Sequence, residues 1–301
     1  MQLPHHCTLC PRACGADRAA GQRGFCGADD TLRVARAALH HWEEPCLSGD
    51  PDAATGSGTV FFSGCSLGCV FCQNRAISRR APGTPPPGKM YSEEELAALF
   101  LHMEELGAHN LNLVTPTHYA GKIAAALGRA KPRLHIPVVF NTGGYELPET
   151  LALFEGLVDI YLPDFKYVSP VLSAAYSGAP DYAVHARAAL REMFRQVGGV
   201  VRENGLMKRG LIVRHLVLPG CRKDSIAVLH ELAELLPVGE FYLSLMRQYT
   251  PDFAPPEAPA NLHRRLTAFE YDSVAAVAAE LGFEGFLQEK SSASAAYTPK
   301  F

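Results

Sequence analysis

Apolar positions along the chain follow two alternating patterns. Short continuous runs read as buried strands, and stripes spaced by three and four read as helices with one buried face. The first run, Thr59–Ser63 (TVFFS), leads through a Pro- and Gly-rich loop (APGTPPPGK) to a helix that opens at Ser92. Ser92 and Glu95 form a capping-box pair, Leu96, Leu99, Phe100, Met103 and Leu106 form the stripe, and Gly107 ends it. Further strands are expected at Asn110–Val114, Ile136–Phe140, Val158–Leu162, Leu211–Leu218 and Glu240–Met246. Helices are expected between them at Lys122–Ala130, Pro148–Gly156, Tyr182–Val197 (with Asp181 as N-cap) and Ser225–Leu236, and a last one at Tyr271–Leu281 before the short run Phe283–Leu287. Six strands alternating with helices predict an α/β fold with a parallel sheet and right-handed crossovers, a partial (βα)6 TIM-like barrel rather than a closed eight-stranded one.

That architecture gathers ligand chemistry on the loops at the C-terminal ends of the strands. The residues expected there are polar or Gly/Pro-rich in every unit: Cys65–Cys69, Thr115-Pro116-Thr117-His118, Asn141-Thr142-Gly143-Gly144, Asp164-Phe165-Lys166, Pro219-Gly220 and Arg247-Gln248-Tyr249. Outside the barrel, residues 1–45 read as a short Cys-rich metal-binding head, 46–290 as the barrel and 291–301 as a tail.

Composition narrows the function. With 301 residues, 48% hydrophobic and 20% charged, the chain can bury a large core. A formal net charge of −3 gives no footprint for coating nucleic acid. No apolar run approaches membrane-spanning length, and the N-terminus MQLPHHCTLC lacks the core of a signal peptide, so a cytoplasmic protein is expected.

Cysteine usage changes the picture most. There are nine cysteines, and in a reducing compartment clustered cysteines point to metal or catalysis rather than disulfides. Cys65-x3-Cys69-x2-Cys72 sets three soft ligands on one loop after a core strand, which suits an iron–sulfur cubane with one iron left open. Cys7, Cys10, Cys14 and Cys26 form a second set of four, enough to saturate a structural zinc or an auxiliary iron–sulfur cluster, with the uneven spacing leaning to iron–sulfur. Cys46 and Cys221 stand alone and receive no role.

The run GCSLGCVFCQN, with its CxxxCxxC core, resembles the radical SAM superfamily, and in particular the activating enzymes of glycyl-radical proteins. The head CTLCPRACGADR with GFCGA, and the runs VTPTHY, DFKY, VRHLVLPG and SLMRQYTP, are similar to the PflX-type branch, related to pyruvate formate-lyase activating enzymes. The resemblance implies a 4Fe–4S cluster at Cys65, Cys69 and Cys72 whose open iron chelates S-adenosylmethionine. It implies reductive cleavage to methionine and a 5′-deoxyadenosyl radical, hydrogen abstraction from a substrate, and an electron donor such as flavodoxin or ferredoxin. It also implies that Asp164 and Lys166 contact S-adenosylmethionine, with an ion pair at a strand end as the alternative. Asn141, Arg214 and His215 match positions that touch the adenosyl or methionine moiety, though a histidine inside an apolar strand is equally a core residue. Thr117, His118 and Gln248 complete the expected cofactor-binding set. Many activases carry Gly-Gly-Glu after the second strand. Here Thr115-Pro116-Thr117-His118 offers a hydroxyl at Thr117 but no carboxylate. The substrate reading is a protein glycine, with another peptide or a small molecule as the alternative and a non-catalytic iron–sulfur carrier as the third. No nucleic-acid or membrane partner is expected.

Overall fold

The structure is a computed structural model that describes residues 6–78, 84 and 86–288. The strands are β1 (Arg33–His40), β2 (Gly56–Phe62), β3 (Lys89–Met90), β4 (Ala108–Val114), β5 (Val138–Thr142), β6 (Ile160–Pro163), β7 (Val201–Glu203), β8 (Leu206–Leu216), β9 (Tyr242–Met246) and β10 (Gly285–Leu287). The α-helices are α1 (Pro45–Ser48), α2 (Arg75–Ser78), α3 (Glu93–Glu105), α4 (Ala120–Ala130), α5 (Pro148–Leu151), α6 (Pro170–Ser177), α7 (Tyr182–Val197), α8 (Arg222–Leu235) and α9 (Ala268–Glu280).

The strands form one sheet in the order β10-β9-β8-β6-β5-β4-β2-β1-β3. From β2 to β10 this order is parallel throughout; β1 runs antiparallel to β2 and to β3, and β7 folds back on β8. The six expected parallel strands are all present, and the apolar run near residue 285 adds β10 beyond them. The sheet curls into a partial barrel, since one cavity is lined from every strand between β2 and β10 or from the residue that follows it.

Alternation along each strand decides what faces where. Val60, Leu111, Leu113, Phe140, Tyr161, Leu211, Val213, Leu243 and Leu245 face outward and join Phe100, Ile123, Leu190, Leu229 and Val274 of the covering helices in the main core. The intervening residues face the bore. There Cys46 and Leu47 of α1 pack with Val139, Ile160, Leu162, Met207 and Ile212. On the β2–β4 side, Ser57 donates to Asn110 Oδ1 at 2.7 Å, and Asn110 Nδ2 donates to the Leu47 carbonyl at 2.8 Å. The one-turn helix α1 is thus a plug in the bore, and Cys46, which had no assigned role, is part of it.

Helix ends follow local chemistry. The Ser92–Glu95 capping box forms in both directions, and a second box, Thr267–Glu270, starts α9 three residues before the expected position. Asp181 occupies the N-cap position of α7, but its carboxylate does not cap the helix. It instead accepts from the Tyr145 hydroxyl at 2.7 Å and lies 3.3 Å from His185. The residues expected as a Cys-rich head do not stand apart up to position 45, because Arg33–His40 is a strand of the sheet. The expected tail at 291–301 lies outside the described residues.

Candidate active site

The strand ends and the α1 plug enclose a cavity of about 690 Å³. Cys65, Cys69 and Cys72 line it together, on the loop that leaves β2. Each sulfur accepts one hydrogen bond from a different donor: the Leu67 amide to Cys65 at 3.4 Å, the Ser177 hydroxyl to Cys69 at 3.0 Å, and the Ser78 hydroxyl to Cys72 at 3.4 Å. Burial pushes the Cys72 thiol up to about 12, and Cys65 and Cys69 raise it further, as expected for thiols crowded together in a water-poor site. Burial and Cys69 likewise raise Cys65, against the pull of the Lys166 ammonium. Three convergent sulfurs, each already carrying a hydrogen bond, and a half-buried cation beside them fit an anionic thiolate-ligated cluster.

Lys166 and Asp164, which follow β6, face the cavity as an ion pair. Burial works against the ammonium, but Asp164 and Cys69 outweigh it and hold Lys166 above its ordinary range. Asn141 at the end of β5 and Gln248 beyond β9 also line the cavity. Five of the expected cofactor-binding residues, Asn141, Asp164, Lys166, Arg214 and Gln248, are therefore brought together with the three cysteines.

Three are not. His215 neighbours Arg214 on β8 and so points to the opposite face, where its Nδ1–H donates to the Phe165 carbonyl at 2.7 Å. Burial lowers it to about 4, so it is a neutral core histidine. His118 is buried behind β2, with Nε2–H donating to the Ser63 carbonyl at 2.8 Å and burial plus Arg18 lowering it to about 3. Thr117 is also buried, and its hydroxyl donates to Glu146 Oε1 at 3.1 Å.

That last contact corrects the expectation that no carboxylate is offered near Thr117. Glu146 arrives from the loop after β5 and accepts from both Thr117 and Thr142. Burial pushes it up to about 7, with the two hydroxyls pulling the other way. Its other oxygen, Oε2, has no hydrogen-bond partner among the described residues. Nothing in the linear order announces this pairing, because the two residues come from different βα loops. Thr115, which opens the same loop as Thr117, has a φ of +57°, an uncommon conformation for a β-branched residue, and its amide donates to the Asn141 carbonyl at 2.8 Å.

The floor of the cavity was also not foreseen. Arg214 points down onto the segment before α1, donating through Nε and Nη2 to Glu44 at 2.7 and 2.6 Å and through Nη2 to Glu43. Although burial alone would raise Glu44, Arg214 holds it below its ordinary value. The guanidinium expected to meet the cofactor is thus already engaged by two carboxylates.

Head and cavity are joined directly. The Cys65 amide donates to the Cys26 carbonyl at 3.3 Å. Gly64 makes this approach possible: its φ is +101°, and a β-carbon there would stand 2.6 Å from the Cys26 carbonyl oxygen. Arg12 donates to the carbonyls of Ser66, Leu67 and Ser177, at 2.8, 3.2 and 2.8 Å, and also to that of Gly178. Within the head, Gly24 leaves a gap that a β-carbon would fill, 2.9 Å from Cys14 Sγ and 3.6 Å from Cys26 Sγ. Burial pushes Cys10 up to about 12, with added repulsion from Cys26, Cys7 and Cys14, so the four thiols lie near one another. Among the described residues, no three His, Cys, Asp or Glu side chains are gathered so as to hold a single metal ion.

Comparison with known proteins yields one family and several similar chains, two of which follow. The uncharacterized protein MJ0674 of Methanocaldococcus jannaschii is 28% identical over 277 residues, covering 89% of this chain and 72% of its own. The crystal structure of methylornithine synthase (PylB) is similar with a TM-score of 0.46 and 16% identity over 71% of this chain, which spans only 58% of that one. The family model described as the Radical SAM superfamily matches residues 59–232, from β2 into α8. That match takes in the cysteine loop and most of the strands that ring the cavity, and the chain belongs to the Radical SAM superfamily.

Proposed function

We propose that Cys65, Cys69 and Cys72 hold the 4Fe–4S cluster that the superfamily uses with S-adenosylmethionine, and that the chain abstracts hydrogen from a glycine in a protein, as a glycyl-radical activating enzyme does. The observation that carries the first part is the set of three hydrogen-bonded thiols on one wall of the cavity, facing Asp164, Lys166 and Asn141. When bound, the cluster supplies the electron that breaks the sulfonium C–S bond of S-adenosylmethionine, giving methionine and a 5′-deoxyadenosyl radical.

The protein's share is to bind, orient and exclude. Lys166 presents an ammonium for a carboxylate, and Asp164 an acceptor for an amine or ribose hydroxyl. Asn141 and Gln248 supply neutral donors and acceptors for the adenosyl portion. Phe61, Leu67, Phe71, Val114 and Leu216 give the cavity apolar walls that keep water and stray hydrogen donors from a radical. A small reductant protein such as flavodoxin or ferredoxin delivers the electron. The head cysteines hold a second iron–sulfur cluster in this reading, supported by Gly24 beside the sulfurs of Cys14 and Cys26 and by the mutual repulsion that raises Cys10.

The first test is 5′-deoxyadenosine formation by anaerobically reconstituted, reduced protein, with wild type beside Cys69→Ala. Product that disappears in the variant is expected. No product from a protein with an intact, reducible cluster, and no change of its EPR signal on adding S-adenosylmethionine, would overturn the reading. The substrate part is tested by the glycyl-radical EPR doublet in a glycyl-radical protein incubated with the reduced enzyme. 5′-Deoxyadenosine without any doublet would leave the alternative, another peptide or a small molecule, which the acidic floor at Glu43 and Glu44 favours.

A further inference from the structure

We propose that the cavity floor binds a primary ammonium group of the substrate, at Glu43; this rests on the radical reading of the cavity and adds the substrate's chemical class to it. The charges that line the cavity are Glu43, Glu44, Asp164, Lys166 and Arg214. Lys166 pairs with Asp164, and Arg214 pairs with Glu44 through two hydrogen bonds. Glu43 shares one nitrogen of that same guanidinium and has no cation of its own. His40 lines the same end, but burial holds its imidazole below the ordinary range, so it adds no positive charge near neutral pH. The floor therefore carries one negative charge in excess, on side chains that are only 8% and 5% exposed.

A second observation points to the same spot. Asn112 is fully buried against Glu43: Nδ2 donates to Glu43 Oε1 at 3.0 Å and to Ser57 Oγ at 3.4 Å. Its Oδ1 has no hydrogen-bond partner among the described residues. A buried acceptor without a donor and two buried carboxylates that share one guanidinium are both unfavourable, and one group bearing N–H donors and a positive charge relieves both. An ammonium has that chemistry. A metal ion does not suit the place, since both carboxylates are engaged by Arg214.

The route to the floor selects what the ammonium is attached to. Trp42, 55% exposed, and Leu287, 62% exposed, line the cavity from the two sides where the sheet does not close, with Phe286 beside Leu287. An apolar stem passes such a mouth with its charged end leading, as a lysine side chain or an alkylamine does.

The test uses full-length reconstituted protein with S-adenosylmethionine and four probes in calorimetric binding. They are n-pentylamine, its neutral counterpart 1-pentanol, the peptide acetyl-Gly-Lys-Gly-amide, and the same peptide acetylated on the lysine. At least one cationic probe should bind while its neutral counterpart does not, and Glu43→Gln should weaken that binding tenfold or more. Binding of the free amine identifies a small substrate, and binding of the peptide alone identifies a polypeptide. The same substitution should raise the melting temperature of the probe-free protein, because it removes the excess charge; a folded, more stable variant excludes simple misfolding. Equal binding of charged and neutral probes, affinity unchanged by Glu43→Gln, or no binding by either cation overturns the proposal. So does a matching loss of S-adenosylmethionine affinity, which would give the floor to that molecule. Failure of the radical reading shows separately, as absence of 5′-deoxyadenosine from the wild type whatever the probes do.

Discussion

The amide of Cys65 donates to the carbonyl of Cys26, so a single hydrogen bond joins the first cysteine of the barrel loop to the last cysteine of the head. Gly64 allows it by having no side chain and by adopting a φ of +101°. Gly64→Ala should therefore push the head off the loop, at more than about 1 kcal/mol in stability. Reconstituted variant protein should retain less iron than wild type after desalting. Equal iron content and equal melting temperature would show that the junction is incidental.

The Ser177 hydroxyl is the shortest donor to a cavity thiol, at 3.0 Å from Cys69 Sγ. Hydrogen bonds to cluster sulfurs favour the reduced, more negative state. Ser177→Ala should lower the midpoint potential of the bound cluster by roughly 40 mV, taking about 1 kcal/mol for the lost bond and one electron. An EPR-monitored redox titration reads this directly; an unchanged or raised potential would contradict it.

Glu146 gives the protein a pH dependence with a definite sign. Its carboxyl titrates at about 7 when folded, against 4.5 ordinarily. Below pH 4.5 it is protonated in both states and has no effect. Between 4.5 and 7 the unfolded chain releases a proton that the folded protein keeps, so stability falls as pH rises. The loss reaches about 3 kcal/mol and then levels off. Glu146→Gln should remove this slope, gaining on wild type from pH 5 to pH 8 in denaturant titrations. Parallel curves for the two proteins would place the titration elsewhere.

Thr115 holds a left-handed backbone at a φ of +57°. Such strain in a β-branched residue costs about 1–3 kcal/mol, and glycine removes it while adding some unfolded-state entropy. Thr115→Gly should raise stability by about 1 kcal/mol in chemical denaturation. A destabilised variant would mean that the side chain contributes more than the strain.

Much of the barrel was legible because its strands are continuous apolar runs and its helices carry clear stripes. Ser92 and Glu95 are the plainest case, a local pair whose chemistry is complete within four residues. What stayed hidden depended on distance in sequence. The β7–β8 hairpin turns on Asn204-Gly205, both at positive φ, but its first strand is exposed and has no apolar run to mark it. Arg33–His40 has only one fully buried residue, Val34, because it lies beside the antiparallel edge of the sheet. In the site, the cysteine loop could be read from spacing alone, and Asp164 with Lys166 from their place after a strand. Period-two alternation, applied to Arg214 and His215, would have shown that only one of them could face the bore. The Thr117–Glu146 and Arg214–Glu43–Glu44 contacts join segments far apart in the chain, and composition carries no trace of them.

The plug made by Pro45–Ser48 has a kinetic consequence. With Cys46 and Leu47 wedged among the bore-facing residues of β5, β6 and β8, the chamber is a blind alley from the floor side. Two reactants that share a blind alley queue: the one that settles deeper arrives first and leaves last. Steady-state rates with both reactants varied should then follow a compulsory-order pattern, with the later arrival acting as a lock on the earlier one.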